Sequence, residues 1–433
     1  MAIALLIFVR DDGLEDLSSG DAATFLGGLG HLCALVATDL MALQVILMSR
    51  VPVIEGAFGQ DRIVRRHRVI GMVAIIVLIG HPLFRASSRA VEEGTSWLEA
   101  FVAFVREHWD VALALVGIVG LFVAIATSLN PLRRKLSFEV WHLLHLNAYL
   151  AVFLALPHEI MTGRAFQESP AATVYWIGFH LLALWLLLRY RLFEPLVRSM
   201  RHQLAVDRVV PETPGHVSVY LRGRRLNAID VRAGQFFQWR FLDRAGWLRT
   251  NPFSLSAAPG ATTWRITVKT AGDSGDRISS LLPGTWVAVE GPYGVLTERA
   301  RTRQRVAFFA SGVGVTPMRA LAEEMAYEPG DAILVYRTRS VDEALFRNEF
   351  ARLERNRGLE VVYLDGPRNR HRESWLPAAA GHLDDVQALR AVVPDITTRD
   401  VFVCGGKQWA ATLRAALSDA GVPRDAVHDE SFD

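Results

Sequence analysis

Hydrophobic residues in the first half of the chain come in long blocks, at roughly 26–48, 68–86, 110–129, 139–157 and 172–190. Each is close to the length of about 20 apolar residues that carries a helix across about 30 Å of hydrocarbon. Residues 1–9, MAIALLIFV, are apolar but too short for that. They lack the basic start and small-residue cleavage site of a signal peptide, so they read as the end of a further helix or as a shallow anchor. Past Arg191 the blocks give way to short strand-like runs with turn punctuation, among them HVSVYLRG, QFFQWRFL and TWRITVKT. From Arg305 apolar strands alternate with helical stretches, the pattern of a parallel sheet flanked by helices. The pattern predicts a multidomain chain: an all-α transmembrane helical bundle over 1–195, a small antiparallel β-barrel over 200–298 and an α/β parallel-sheet domain over 303–433.

Charge orients the blocks. Arg50, Arg62, Arg65, Arg66 and Arg68 fill one connection, Arg133, Arg134 and Lys135 another, and Arg189, Arg191, Arg198 and Arg201 follow the last block. The intervening connections carry as much acid as base or more. The alternation obeys the positive-inside rule for a multi-pass protein of the plasma (inner) membrane, with the C-terminal half in the cytoplasm. A net charge of +2 gives no bulk attraction to nucleic acid. The two cysteines, Cys33 and Cys404, fall in unlike segments, so no disulfide is expected. Two cysteines also cannot hold an iron–sulfur cluster, which takes four ligands, so a redox metal falls to histidine.

His67 and His81 stand near the ends of one block, and His145 and His158 near the ends of another. Both blocks run outward from the Arg-rich side, so His67 shares the inner level with His145, and His81 the outer level with His158. Positions 67 and 81 are separated by about 320° of rotation and about 21 Å of rise, so both rings leave one face, a leaflet apart. Positions 145 and 158 are separated by about 220°, which is not one face of an ideal helix. Pro157 is placed to redirect the second ring. His142 also lies at the inner level and rivals His145. His31 and His180 have no partner at matching depth and read as packing or polar contacts. Ionisable residues inside spans are functional candidates, and neutral imidazole is an axial ligand of haem iron. Four histidines matched by depth point to two haem b groups, one above the other. The spacing His67-x13-His81 and His145-x12-His158, the latter inside SFEVWHLLHLNAY, resembles the ferric reductase-like transmembrane domain shared by NADPH oxidases and ferric reductases. That resemblance implies six helices with ligands on the third and fifth. Five blocks plus the N-terminal fragment make that count, with the first helix nearly absent.

Two motif groups follow. Asn251-Pro252-Phe253-Ser254-Leu255-Ser256 opens a strand with a proline and hydroxyls, suited to the edge of a planar ring. Lys269, Gly272, Ser279 and Ser280 gather a cation, a glycine and hydroxyls near an expected helix N-terminus, an anion site for a pyrophosphate, although an ordinary turn explains them nearly as well. NPFSLSAAP and VEGPYG resemble the flavin motifs of the ferredoxin reductase family, HPFS or RPYS and GPYG or GPFG. The resemblance implies FAD, with Phe253 beside the flavin, Ser254 at the isoalloxazine edge and Lys269, Ser279 and Ser280 near the pyrophosphate. Asn251 replaces that family's usual His or Arg, and Arg249 is placed to compensate.

The second group lies in the parallel-sheet region. Ser311-Gly312-Val313-Gly314-Val315-Thr316-Pro317 is a glycine-rich strand-to-helix turn, suited to a phosphate. It resembles the GGIGxTP motif of the same family, and Cys404-Gly405-Gly406 its CGP motif, whose cysteine approaches the reacting nicotinamide carbon. Arg337 and Arg339 follow the strand that faces the adenosine ribose and suit a 2′-phosphate, favouring NADPH with NADH possible. Solvated surface is the plain alternative. Phe432, near the end of HDESFD, suits the aromatic residue that covers the flavin in that family.

The resulting expectation is a transmembrane oxidoreductase set in membrane lipid. Electrons pass from cytoplasmic NAD(P)H through FAD and two haems to an extracytoplasmic acceptor, with dioxygen favoured and a ferric chelate the alternative. A flavin reductase with a haem-free helical anchor and a haem-binding relay subunit for a partner enzyme are the other readings. The sequence names no regulatory or redox partner.

Overall fold

The computed structural model describes residues 1–163, 169–243, 249–369 and 372–432. The chain divides into two compact units, Met1–Phe193 and Glu194–Asp433.

The first unit is helical. Its elements are α1 (Ala2–Arg10), α2 (Gly13–Ser18), α3 (Ala22–Met48), α4 (Pro52–Phe58), α5 (Gln60–Glu93), α6 (Trp97–Glu107), α7 (Trp109–Ser128), α8 (Asn130–Arg133), α9 (Phe138–Thr162) and α10 (Pro170–Leu188). Polar side chains start the long helices: Asp21 accepts from the Thr24 N–H ahead of α3, Ser137 from Val140 ahead of α9, and Ser169 from Ala172 ahead of α10. Among the described residues, five helices are long and apolar enough to cross a membrane. They match the five blocks, although α5 runs well past both ends of the expected 68–86. α1 has nine residues, and its Ala4, Ile7 and Phe8 pack with Leu35, Ala172 and Trp176. The membrane helices pair as α3 with α5 and α7 with α9. Gly117 makes the second pairing close, because a Cβ there would stand 2.9 Å from the Ala151 carbonyl oxygen.

The second unit opens with α11 (Glu194–His202) and then supplies the strands. Two three-stranded antiparallel sheets come first. One joins β1 (Ala205–Thr213), β2 (His216–Arg222) and β5 (Thr263–Lys269). The other joins β4 (Asn251–Ser254), β3 (Phe236–Phe241) and β6 (Val287–Tyr293). The expected barrel is therefore present as two sheets linked by the isolated bridges Ala205–Trp286 and Leu255–Ile266, without a continuous closed ladder among the described residues. Alternating positions of both sheets point inward around Phe237, Trp239 and Trp264. α12 (Asp273–Ser279) connects β5 to β6.

A five-stranded parallel sheet follows, in the order β11–β10–β7–β8–β9. Its strands are β7 (Val306–Ser311), β8 (Ala332–Arg337), β9 (Glu360–Leu364), β10 (Asp400–Gly406) and β11 (Val427–Phe432). The helices are α13 (Val315–Glu324), α14 (Arg347–Arg357), α15 (Asp385–Val392) and α16 (Lys407–Asp419). Separate apolar clusters cover the two faces, so β8 reads AILVYR with no polar alternation. The chain winds from β7 through β8 to β9, then crosses back to place β10 on the other side of β7. The ends of β7 and β10 therefore form the topological switch point, where ligands of such sheets bind.

Candidate redox sites

The two histidine pairs expected from spacing meet within the bundle. The rings of His67 and His145 have centroids 6.1 Å apart, and those of His81 and His158 6.0 Å apart. Two metal–imidazole bonds of about 2.0–2.1 Å, with each ring centre about 1.1 Å beyond its nitrogen, place trans imidazole centroids about 6.3 Å apart. Both pairs fit an iron between them. Ideal helix geometry sets His145 and His158 on different faces, yet each ring reaches its α5 partner. Pro157 lies inside α9, where its missing N–H breaks the regular ladder ahead of His158.

The neighbouring helices orient the rings. Ser128 of α7 lies 3.1 Å from Nδ1 of His145, and Asp110 of α7 lies 3.3 Å from Nδ1 of His158. The Gly30 carbonyl of α3 lies 2.9 Å from Nδ1 of His81. Three Nδ1 atoms are thus engaged, which fixes the tautomer and leaves Nε2 as the unprotonated nitrogen of those rings. The Nδ1 of His67 is buried without such a partner, while Gln44 holds the His67 carbonyl at 3.0 Å. The indole of Trp141 stacks on His145 with centroids 5.3 Å apart, and His142 packs on that indole. Among the described residues no group of three or more His, Cys, Asp or Glu is arranged to hold a bare metal ion. The histidines come instead as two separate pairs. A cavity of about 710 Å³ adjoins the His81–His158 pair, lined also by His31, Arg85, Leu121 and Trp176. That volume is in the range of cofactor pockets.

Asp110, Ser128 and Arg85 were not singled out from the sequence. Asp110 had a signal, a lone acid at the mouth of an apolar block. Arg85 stands one turn beyond His81. Ser128 had none, since a serine in a span is ordinary. His180 is buried, with its Nδ1 2.9 Å from the Trp176 carbonyl and its Nε2 3.6 Å from Glu159.

In the second unit, β4 carries the flavin-type motif in register with β3, Ser254 opposite Phe236 and Asn251 opposite Trp239. The Trp239 indole donates to the Phe253 carbonyl at 2.8 Å and holds the strand. The Ser254 hydroxyl and the Asn251 amide nitrogen are buried with no hydrogen-bond partner. Buried polar groups are rarely left unpaired, so these two suit the polar edge of a bound ring. Pro252 is exposed and Phe253 half-buried. The expected helix boundary needs a correction. α12 begins at Asp273, after Gly272, and ends at Ser279. Ser279 and Ser280 therefore lie at its C-terminal end, where the helix dipole repels an anion. Their hydroxyls cap the Asp276 and Arg277 carbonyls at 2.6 and 2.9 Å. Lys269 is exposed at the end of β5.

The nicotinamide-type motifs converge at the switch point. Gly312, at φ +56°, turns the chain out of β7. A Cβ on Gly314 would stand 2.3 Å from the Cys404 carbonyl oxygen, so only glycine lets the turn lie against β10. Thr316 and Pro317 are buried in the first turn of α13, and the Thr316 hydroxyl donates to the Val313 carbonyl at 2.9 Å. Cys404 is fully buried between Ala310 of β7 and Glu430 of β11, with Gly405 beside Ser431. Burial, with Glu430 and Asp429 nearby, holds its thiol well above the usual range, so it stays protonated at neutral pH. Glu430 also approaches Gly294 of the VEGPYG segment, its Oε1 lying 3.0 Å from where a Cβ would stand. No sequence signal had singled it out. Of the two arginines, Arg339 is exposed, whereas Arg337 is buried with its guanidinium on the Thr338 carbonyl. The backbone of Phe432 pairs with Gly406, and its side chain lies outside the described residues.

Residues 33–156 match the family described as ferric reductase like transmembrane component, and residues 308–414 match the oxidoreductase NAD-binding domain. The chain joins a ferric reductase-like transmembrane domain to an oxidoreductase NAD-binding domain. His67, His81 and His145 fall inside the first match, and His158 two residues beyond it. Among curated proteins, the chain is 26% identical over 237 residues to the ferredoxin reductase component of 3-ketosteroid-9-alpha-monooxygenase from Rhodococcus rhodochrous, covering 53% of this chain and 64% of that one. It is 25% identical over 190 residues to ferredoxin–NADP reductase B of Sorangium cellulosum, covering 42% of this chain and 77% of that one. It spans half the length of the glycine betaine monooxygenase reductase subunit of Pseudomonas aeruginosa that it matches. Among solved structures, the FAD/NAD binding domain of nitric oxide dioxygenase from Vibrio cholerae aligns with 53% of this chain and 98% of its own, at 23% identity and a TM-score of 0.45.

Proposed function

We propose that this chain is an NAD(P)H-dependent transmembrane oxidoreductase that moves electrons from NAD(P)H on the cytoplasmic side to an acceptor on the other side of the membrane. The observation that carries it is the pair of facing imidazole couples, His67–His145 and His81–His158, stacked along one bundle. When bound, FAD and two haem b groups supply the change from hydride to single electrons and the path for those electrons. The chain's own residues hold and aim these groups. The four histidines would hold the two irons, and Ser128, Asp110 and the Gly30 carbonyl keep three of the rings in one tautomer. Arg85, on the wall of the cavity, suits a propionate. Asn251 and Ser254 would meet the flavin edge, the Gly312–Gly314 turn would cradle the pyrophosphate of NAD(P)H, and Cys404 would lie on the nicotinamide side of the switch point. Arg339 is the residue suited to a 2′-phosphate, which favours NADPH. The acceptor we favour is dioxygen, giving superoxide, with a ferric chelate the other candidate.

Purified full-length protein loaded with haem and FAD is expected to show a b-type Soret band that shifts on adding NADPH. Absence of any haem absorbance sinks the proposal. Superoxide dismutase-sensitive cytochrome c reduction, compared with ferrous chelate formation, separates the two acceptors.

A further inference from the structure

One carboxylate joins the flavin-type sheets to the nicotinamide-type sheet. Glu349 of α14 lies between two guanidinium groups. Arg265 of β5 donates to it at 2.6 and 3.0 Å, and Arg319 of α13 approaches at 2.5 Å. The side chains of Arg265, Arg319 and Glu349 are 6%, 8% and 16% exposed. Arg265 also donates to the carbonyl and hydroxyl of Ser256, at 2.6 and 3.1 Å. The Ser256 hydroxyl accepts in turn from Thr267 at 2.8 Å. Two backbone amides add to the junction, Ala258 donating to Glu323 at 2.6 Å and Ala233 to Glu324 at 3.1 Å.

The sequence positions give this bridge its meaning. Ser256 closes the NPFSLS segment, two residues past Ser254. Arg319 follows Pro317 by two residues, in the helix that the glycine-rich turn starts. Hydrogen bonds therefore run from the flavin motif through Arg265 to Glu349, and an ion pair carries the contact on to Arg319, whose guanidinium Glu323 also holds, beside the nicotinamide motif. Burying three charges is costly, and an apolar junction of the same size would hold the lobes together as well. A bidentate guanidinium–carboxylate contact adds a defined distance and plane, which apolar packing lacks. Hydride transfer is sensitive to such definition, since a misplacement of about 1 Å costs about 100-fold in rate.

We propose that Glu349 is a positioning residue: by bridging Arg265 to Arg319 it sets the approach of the nicotinamide to the flavin ring. This rests on the NAD(P)H-to-flavin reading above.

The test compares full-length wild type with Glu349→Gln and Glu349→Asp. In FAD-free protein, Glu349→Gln is expected to raise hydrogen exchange at 254–258 and 347–357 while β7 and β10 stay protected. In FAD-loaded protein at saturating NADPH, single-turnover flavin reduction is expected to fall about 10- to 100-fold, with KM for NADPH within about threefold of wild type and part of the rate regained by Glu349→Asp. Unchanged exchange, a reduction rate within about twofold of wild type, or a lowered melting temperature with the rate intact would each overturn the bridge as a positioning device. If wild-type flavin is not reduced by NADPH, the functional reading fails, while the exchange arm still judges the bridge.

Discussion

His81→Ala and His158→Ala each remove one side of a facing pair and leave the His67–His145 couple intact. Each variant is expected to retain about one haem per chain against the two expected for the wild type, measured by the pyridine haemochrome assay. Asp110→Asn keeps the shape but exchanges the carboxylate beside Nδ1 of His158 for a weaker acceptor. Loss of such an orienting partner typically costs about 10- to 100-fold in metal affinity, so haem is expected to leave this variant faster in a transfer assay to apomyoglobin. The pairing of the four histidines was legible in the sequence because depth in a membrane follows position along a helix. Their orienting partners were not, because Asp110, Ser128 and the Gly30 carbonyl come from other helices. A backbone carbonyl also carries no residue-type signal at all.

Helix pairing gives the next prediction. Gly117 of α7 lies against the Ala151 carbonyl of α9, and a Cβ there meets backbone that cannot swing aside. Gly117→Ala is expected to cost about 1–3 kcal/mol by overpacking. It is also expected to lower haem retention, since α7 holds the partners of both paired α9 histidines. Thermal melting followed by absorbance reads both effects. Elements built on one strong periodicity were legible: the five apolar helices, and the parallel strands with their uninterrupted buried runs. The flavin-type region was less so. Short strands alternate in the same way whether they close a barrel or form two bridged sheets, because alternation reports one buried face and not the partner strand. α12 shows the limit of a local motif. Lys269, Gly272 and two serines do predict a helix boundary, but the serines lie at its far end.

In the second unit, charges between lobes make stability depend on pH. Burial works to raise the Glu349 pKa, but the bonds from Arg265 and the nearby charge of Arg319 outweigh it, and the carboxyl titrates below its ordinary 4.5. The unfolded chain therefore takes up this proton before the folded one does. The contribution is fully present above pH 4.5 and is lost as the pH falls through the lowered folded value. Acid denaturation of Glu349→Gln, followed by tryptophan fluorescence, is expected to lack this part of the slope. A variant whose stability falls with acid as steeply as the wild type's does would remove Glu349 from that role.

Apolar length, arginine-rich connections, histidine depth and glycine-rich turns all act within a few residues of chain. A linear reading therefore sufficed for the membrane blocks, the imidazole pairs and the glycine-rich strand-to-helix turn. Contacts between distant segments depend on how the elements pack. Asp110 beside His158, Cys404 under Gly314, Glu430 against Gly294 and Glu349 between two arginines exist only once helices and strands have closed on one another. The same packing directed Arg337 onto a backbone carbonyl and left Arg339 in solvent, because a two-residue step along β8 and its exit carries a side chain from the buried sheet to the open turn.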